Sequence, residues 1–303
     1  MSYKKIAVIF SALVLIVTSA CERKGKDIPV YPPTADSRLS EGWDYFEAGN
    51  YSVAIERFAS SKNRDALYAD AYRGLGWSYS RVMDYTNAES NFSIFATLSA
   101  TEPAKLNDVN AGLATMYAAA GDNLKAIEMC EQVIAADPNY SFEHDSRVNV
   151  SSLQALIARS YYNEQNFLAS LEYVENNLDA AFITELLNNG ILQEKVNDIV
   201  EIKIPAISPT PLTGQASMSL MRQVVVDTDT SMVGVHLVKV LDIRSLDGLA
   251  HYTIVNFTQG DNRITFVGNP VPRNKDEFQV DYLFAPDYDI FLSKLLCKID
   301  DIQ

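Results

Sequence analysis

A fixed separation of 34 residues relates two stretches in the first half of the chain. Placed one beneath the other, the stretches that start at Gly42 and Gly76 agree in residue type and in spacing. The matching pairs are Gly42 with Gly76, Tyr45 with Tyr79, Tyr51 with Tyr85, Ala54 with Ala88, and Phe58 with Phe92. A fixed period of this length is typical of a repeat architecture, in which each supersecondary unit buries its apolar face against the next unit.

The pattern within each copy resembles the tetratricopeptide repeat, which runs from an aromatic residue through Leu-Gly and Tyr to Ala and Phe. The second copy carries Tyr72, Leu75, Gly76, Tyr79, Ala88 and Phe92; the third carries Leu113, Ala114, Tyr117, Gly121, Ala126, Cys130 and Pro138; the fourth carries Ile157, Ala158, Tyr161, Phe167, Ser170 and Val174. The interval grows to 38 and then to 44 between the later copies, so we expect longer loops there. The resemblance covers roughly residues 35–180 and implies about four pairs of antiparallel helices.

Small residues recur where the two helices of a pair should cross. The expected contacts bring Gly42, Gly76, Ala114 and Ala158 on the first helices against Ala54, Ala88, Ala126 and Ser170 on the second helices. Tyrosines 45, 79, 117 and 161 should fill the space between repeats. Cys130 replaces a packing phenylalanine, so we interpret it as a small buried hydrophobic residue rather than a reactive thiol. The turns around Gly49 and Gly121 predict a left-handed residue followed by a capping side chain, Asn50 or Asp122.

In the tetratricopeptide-repeat family the first helices line a concave face, and partner segments usually bind there. The alignment places Trp43, Trp77, Thr115 and Arg159 in an exposed concave column, flanked by Phe46, Arg73, Arg81 and Tyr162. Residues 35–180 contain 10 basic and 21 acidic residues, whereas this predicted groove carries three arginines. Aromatic and arginine side chains are enriched at binding sites, so the strip predicts an extended protein or peptide partner that carries carboxylates.

A structural interpretation of the same column stays open. The two tryptophans would then pack against the neighbouring repeat or against the C-terminal half of the chain. The Lys/Asn clamp of family members that bind chaperone tails is absent, since Arg73 and Trp77 stand at its positions. Chaperone tails are therefore not expected as partners.

The N-terminus has the pattern of a secretory signal, with two lysines before an apolar stretch at residues 6–17 that is too short to span a bilayer. Thr18-Ser19-Ala20-Cys21 resembles the lipobox of bacterial lipoproteins, which implies a signal peptide at residues 1–20 and lipidation at Cys21. An ordinary cleaved signal is the alternative. In the enteric lipoproteins that this pattern resembles, Asp after the cysteine is a signal for retention in the inner membrane, whereas this chain has Glu22. The resemblance therefore implies a location at the outer membrane, with the folded body facing the periplasm. Residues 21–34 contain three prolines and predict a semi-rigid tether.

The pattern changes in the C-terminal half. We predict a tetratricopeptide-repeat (TPR) helical domain over residues 35–199, whose last part is a capping helix at residues 182–200. A β-rich domain of unrecognised family should follow over residues 200–303. Alternating apolar residues predict strands at 233–237, 251–257, 264–267 and 278–284, with a hairpin loop at 258–262 that makes its strands antiparallel. Pro286 opens a closing helix whose apolar stripe is Tyr288, Phe291, Leu292, Leu295 and Ile299. The predicted fold class is therefore α+β.

Composition argues against several kinds of chemistry. The formal charge is −14, and removal of residues 1–20 with Lys4 and Lys5 makes it −16, so no nucleic-acid partner is expected. Three cysteines (Cys21, Cys130, Cys297) and three histidines (His144, His236, His251) are too few for zinc ribbons or a disulfide scaffold. Val224 to Asp229 looks like the first motif of haloacid-dehalogenase-type phosphotransferases, but too little chain follows to supply the later motifs. We expect no metal, no cofactor and no enzyme activity.

The sequence accordingly predicts a lipid-anchored cell-envelope adaptor that binds a protein partner through the helical groove. Two alternatives stay open. One is a structural subunit of an outer-membrane assembly or secretion complex, and the other is an envelope ligand-binding protein or enzyme with its site in the β-rich half.

Overall fold

The structure is a computed structural model that describes residues 33–99, 102–201, 224–227, 236–258, 263–267 and 277–302. The predicted signal peptide, the lipidation site at Cys21 and most of the predicted tether lie outside these residues. Within the described ranges, no helix has both the length and the apolar character needed to cross a membrane.

In the described part of the N-terminal half, eight helices pack as four successive pairs. They are α1 (Ala35–Glu47), α2 (Tyr51–Arg64), α3 (Ala69–Arg81), α4 (Tyr85–Leu98), α5 (Pro103–Ala120), α6 (Asn123–Ala136), α7 (Val150–Asn163) and α8 (Phe167–Asn177). The first helix of each pair also contacts the first helix of the next pair. This stacking confirms the predicted solenoid of helix pairs.

The turns within the pairs largely follow the sequence pattern. Gly49 and Gly121 have φ angles of 76° and 83°, which confirms the left-handed residue predicted at both turns. The carboxylate of Asp122 accepts a hydrogen bond from the backbone N–H of Lys125 and caps α6. Asn50 begins α2 without a side-chain cap, so that half of the prediction is wrong.

Phenylalanine rings fill the space beside three glycines of the first helices. A Cβ atom added to Gly42 or Gly74 would overlap the ring of Phe58, and a Cβ atom added to Gly76 would overlap the ring of Phe92. The predicted opposition of small residues is confirmed for Ala158 and Ser170, since the Ser170 hydroxyl donates to the Ala158 carbonyl at 2.8 Å. Beside Gly42 and Gly76, a ring of the second helix of the pair is the nearest neighbour. The small residues keep the helices close while the rings supply the buried apolar area.

Cys130 confirms its predicted structural role. Its side chain is fully buried, and burial raises the pKa of its thiol to about 12. Tyr79, Tyr117 and Tyr161 pack against the core, as predicted, whereas Tyr45 is more than a third exposed.

The predicted capping helix is shorter than expected. Helix α9 covers only Phe182–Asn188, and Gly190 follows with a φ angle of 71°. Residues Gln193–Glu201 form strand β1 instead of continuing the helix. The prediction of helix over 189–200 is wrong because β1 pairs with a distant strand of the C-terminal half, a contact that local periodicity does not report.

The described residues of the C-terminal half include two antiparallel three-stranded sheets. The other strands are β2 (Val224–Asp227), β3 (His236–Ser245), β4 (Thr253–Thr258), β5 (Arg263–Val267) and β6 (Glu277–Ala285). The sheets have the strand orders β1-β6-β3 and β2-β5-β4. Antiparallel pairing of β4 with β5 confirms the predicted hairpin strands, although loop residues 259–262 lie outside the described ranges.

Helix α10 (Tyr288–Asp300) closes the fold, as predicted. The carboxylate of Asp287 accepts a hydrogen bond from the backbone N–H of Ile290 at 3.1 Å and caps the helix. Phe291, Leu295 and Ile299 are fully buried in one core with apolar residues of β3, β6, α8 and α9. The helix therefore joins the sheet to the last helix pair.

Candidate functional site

The first helices of the repeats carry the predicted groove residues, but four of these eight side chains are buried. Trp43 on α1 is 6% exposed and Trp77 on α3 is fully buried. Phe46 and Arg73 are buried as well, and Arg73 is 4% exposed. The prediction of an exposed column is therefore wrong for Trp43 and Trp77. The two tryptophans do share one face across neighbouring repeats, as the contacts below show.

A loop of the same chain covers these residues. Residues 137–149, here called the concave loop, connect α6 to α7. The shorter connections at residues 65–68 and 99–102 join the earlier pairs. The growth of the repeat interval to 44 indicated a long loop here, but not where the loop lies.

Two rings of the concave loop pack on the two tryptophans. The ring of Phe142 is stacked on the Trp77 indole, with centroids 4.3 Å apart and planes 12° apart, and it meets Trp43 edge-on at 6.1 Å. The imidazole of His144 is stacked on the indole of Trp43, with centroids 3.7 Å apart. Phe142 is 1% exposed, so the loop completes the apolar core of the first two repeats.

Arg73 is the centre of a charged cluster beneath the loop. Its guanidinium pairs with Asp108 of α5, lies 3.3 Å from Asp70 of its own helix, and donates to the carboxylate of Glu143 in the loop at 3.3 Å. The Tyr140 hydroxyl of the loop donates to Asp108 at 3.1 Å. Burial raises the pKa of Asp108, although the adjacent guanidinium opposes this shift. A buried arginine surrounded by carboxylates avoids the large cost of an unpaired charge.

Arg81 forms the second ionic contact with the loop. Its guanidinium donates to the carboxylate of Asp145 at 2.8 Å and lies over the Trp77 ring, 5.5 Å from the centroid. Hydrogen bonds from Arg147 and the charge of Arg81 hold the pKa of Asp145 below its usual range. The loop therefore contacts the first helices through the ring of Phe142 and through two ion pairs, Glu143 with Arg73 and Asp145 with Arg81.

The concave loop is a closed turn and not an extended strand. The backbone N–H of Phe142 donates to the carbonyl of Val148 at 2.8 Å, and the N–H of Val150 donates to the carbonyl of Tyr140 at 3.1 Å. Ser141 and Asn149 form an antiparallel bridge at its base. The segment that fits this groove is thus compact, whereas the sequence predicted an extended occupant.

The other end of the predicted column is covered by the closing helix. Arg159 on α7 pairs with Asp300 of α10. Tyr162 packs edge-on against Phe167, with ring centroids 5.0 Å apart. These two residues do not meet Trp43, Trp77, Arg73 and Arg81 in one open groove.

Open space remains beside the loop. One cavity of about 250 Å³ is lined by Arg81, Thr115, Ser152 and Leu156 together with residues of the loop. A second cavity, of about 520 Å³, lies between the loop and Phe46, Glu47 and Tyr51. The loop therefore covers the face formed by α1, α3 and α5 and leaves open space beside it.

Sequence reasoning missed the residues of the loop and their partner Asp108. Phe142, His144 and Tyr140 lie outside the repeat pattern, so the alignment of the repeats did not include them. The three histidines do not assemble into a metal site, since no group of three or more His, Cys, Asp or Glu residues in the described part of the chain is arranged to hold a metal ion.

The helix pairs described above form a helical-repeat solenoid, in which the first helices of neighbouring pairs contact one another. No family model matches the chain, and no curated protein sequence matches it. The crystal structure of the MamA protein is similar over 51% of this chain and 75% of that chain, with 20% identity and a TM-score of 0.39. A structure of PilF from Pseudomonas aeruginosa is similar over 48% of this chain and 75% of that chain, with 15% identity and a TM-score of 0.29. The repeat assignment rests on the helix pairing described above.

Proposed function

We propose that this chain is a lipid-anchored scaffold of the cell envelope, which holds a protein partner on the concave face of its helical repeats. The observation that supports the proposal is that the predicted groove already binds a peptide segment, the concave loop. Trp43, Trp77, Arg73 and Arg81 hold a peptide segment by ring stacking and by contacts between arginine and carboxylate. These side chains are the types enriched where proteins bind peptides.

The Cys21 pattern supports the membrane half of the proposal. Acyl chains contribute about 0.8 kcal/mol for each buried methylene, so more than one chain at Cys21 would anchor the protein stably. Confinement to a membrane raises the local concentration of the scaffold, and a modest affinity in the groove then suffices. The outer membrane, with the folded body facing the periplasm, is the proposed address.

Site-specific photo-cross-linking in intact cells tests this function. One photoreactive residue replaces Thr115, which lines the open cavity on the concave side. A matched control replaces Leu124, which is exposed on α6, the second helix of the same pair. We expect a discrete cross-linked protein from position 115 and none from position 124.

The anchor is tested in the same experiment with Cys21→Ser. Loss of the lipid should move the chain out of the membrane fraction and lower the yield of the position-115 product. Identical products from positions 115 and 124 would contradict a concave binding face. An unchanged membrane fraction for Cys21→Ser would contradict the lipid anchor.

A further inference from the structure

The concave loop is longer than the repeat architecture needs. Connections at residues 65–68 and 99–102 suffice to stack the first three helix pairs, whereas residues 137–149 join the third pair to the fourth. The additional residues lie on the concave side of the repeats, where they contact the first helices α1, α3 and α5. The loop therefore occupies the surface on which a partner would bind.

We propose that the concave loop is an intramolecular substitute for the partner, and that the partner presents an aromatic side chain and two carboxylates on a tight turn. This inference rests on the proposed function and names the chemistry of its partner. The partner and the loop then compete for one site, and the groove opens when the loop leaves.

Charge and shape complementarity identify the occupant as acidic and aromatic. Phe142 fills the space between the two indoles, while Glu143 and Asp145 reach Arg73 and Arg81. The same two arginines lie in a repeat region of net charge −11, the difference between 10 basic and 21 acidic residues over 35–180. A basic or purely apolar segment would remove the Asp145 carboxylate from Arg81 and would leave Arg73 with Asp70 and Asp108 alone, which disfavours such segments.

Phe142 anchors the loop in the groove, but other side chains of the loop are exposed. The side chains of Glu143 and Arg147 are 65% and 76% exposed, and Asp145 and Arg147 line both cavities. Its own backbone hydrogen bonds close the turn, so the turn does not need the groove to satisfy those groups. Among the described residues, the buried indole Nε1 of Trp77 has no acceptor, and an incoming backbone carbonyl would give it one.

A labelled peptide tests the competition directly. The probe is a synthetic peptide of residues 138–149 with a fluorophore at its N-terminus, and a matched control peptide carries Phe142→Ala, Glu143→Gln and Asp145→Asn. The protein is the full acylated chain in detergent micelles, either unchanged or with the loop loosened by Phe142→Ala and His144→Ala. Fluorescence anisotropy measures the dissociation constant of each pair.

We expect the loosened protein to bind the probe at least tenfold more tightly than the unchanged protein, because an occupied site lowers the apparent affinity by the fraction that is open. Adding Arg81→Gln to the loosened protein should weaken binding at least fivefold, since it removes the contact to a carboxylate. Arg57→Gln, on α2 beside Glu41 and Tyr45, should leave binding unchanged.

If the loosened protein does not melt cooperatively, it is not properly folded, and a second variant is then used for the test. Glu143→Gln with Asp145→Asn removes the loop carboxylates and retains Phe142, and it should also bind the probe more tightly than the unchanged protein does. A folded variant that ignores the probe, or that binds probe and control peptide equally, overturns the inference. Concentration-dependent self-association without peptide would assign the site to a second copy of the chain and overturn it as well.

The outcome is distinguishable from failure of the proposed function. If position 115 still cross-links to a protein in cells while no variant binds the probe, the scaffold function stands and the partner chemistry is wrong. If the probe binds but position 115 captures no protein, the groove chemistry stands and the scaffold function fails.

Discussion

The imidazole of His144 lies flat against the indole of Trp43, with ring centroids 3.7 Å apart and ring planes 3° apart. Its two nitrogens face carboxylates of Glu47 and Glu143, at 2.8 and 3.1 Å. One ring thus links the concave loop to α1 by stacking and by polar contacts. The surroundings of Trp43 consequently report whether the loop is in place.

His144→Ala should uncover Trp43. We expect its emission to shift to longer wavelength and its quenching by acrylamide to rise, with a loss of unfolding free energy of about 1 kcal/mol. The measurement uses a Trp77→Phe background, because the chain has two tryptophans. His251→Ala is the control, since this exposed histidine lies beside Asp242 in the β-rich half; equal quenching in both variants would contradict the observed stack.

Phe142→Ala should destabilise the helical half by about 3 kcal/mol, the range seen when a buried phenylalanine leaves a cavity. The ring is 1% exposed and contacts both tryptophans, so its removal opens the core of the first two repeats. Urea unfolding followed by circular dichroism measures the loss. Leu124→Ala, at an exposed site, should stay within about 0.5 kcal/mol of the parent, and a Phe142→Ala midpoint equal to that of Leu124→Ala would show that the ring is not packed.

The sequence predicted the register of the repeats well because that register depends on local spacing. Gly76, Tyr79 and Phe92 recur at the positions that the helix pair requires, and the helices lie where the pattern places them. The alignment also placed Trp43 and Trp77 on one face. The two tryptophans do lie on one face, because the ring of Phe142 contacts both indoles.

The position of the concave loop over the groove could not be predicted from local spacing. A repeat alignment reports what neighbouring repeats share, and the concave loop has no counterpart in the other copies. Its position depends on contacts between Phe142 and tryptophans more than sixty residues away in the chain. Strand β1 was missed for the same reason, because its pairing with β6 joins Gln193 to Phe284.

Gly76→Ala should lower stability although alanine favours helix. The gain in helix propensity is about 1 kcal/mol, whereas a Cβ atom at this position would overlap the Phe92 ring, and overpacking costs about 1–3 kcal/mol. We expect a net loss of about 1 kcal/mol in urea unfolding. Phe92→Leu should reduce the additional cost of Gly76→Ala in a double-mutant cycle, and strict additivity would show that the two side chains do not meet.

Arg244→Gln should lower the melting temperature at pH 7 by a few degrees. The guanidinium donates to both carboxylate oxygens of Asp281, at 2.8 and 3.0 Å, and holds the pKa of that carboxyl below its usual range. A carboxyl with a lowered native pKa stabilises the fold above its unfolded pKa and loses that contribution as the pH falls through the native pKa.

The difference between parent and Arg244→Gln should therefore shrink as the pH is lowered from 7 toward about 3. Thermal melts followed by circular dichroism across this range measure it. Lys195→Gln serves as the control, because it removes an exposed positive charge from strand β1 of the same sheet. A difference that stays constant with pH would show that Asp281 is not the group concerned.

The cysteines should separate by reactivity, because the thiolate is the reactive form. Burial raises the pKa of Cys130 to about 12, whereas Cys297 is exposed on α10. Iodoacetamide at about pH 8 should label Cys297 in the native protein, and both residues only after denaturation in urea. With Cys21 acylated as proposed, mass spectrometry of the denatured mature protein should find two alkylated cysteines. A third alkylated residue at position 21 would contradict lipidation, while native labelling of Cys130 would contradict the packing of the third helix pair.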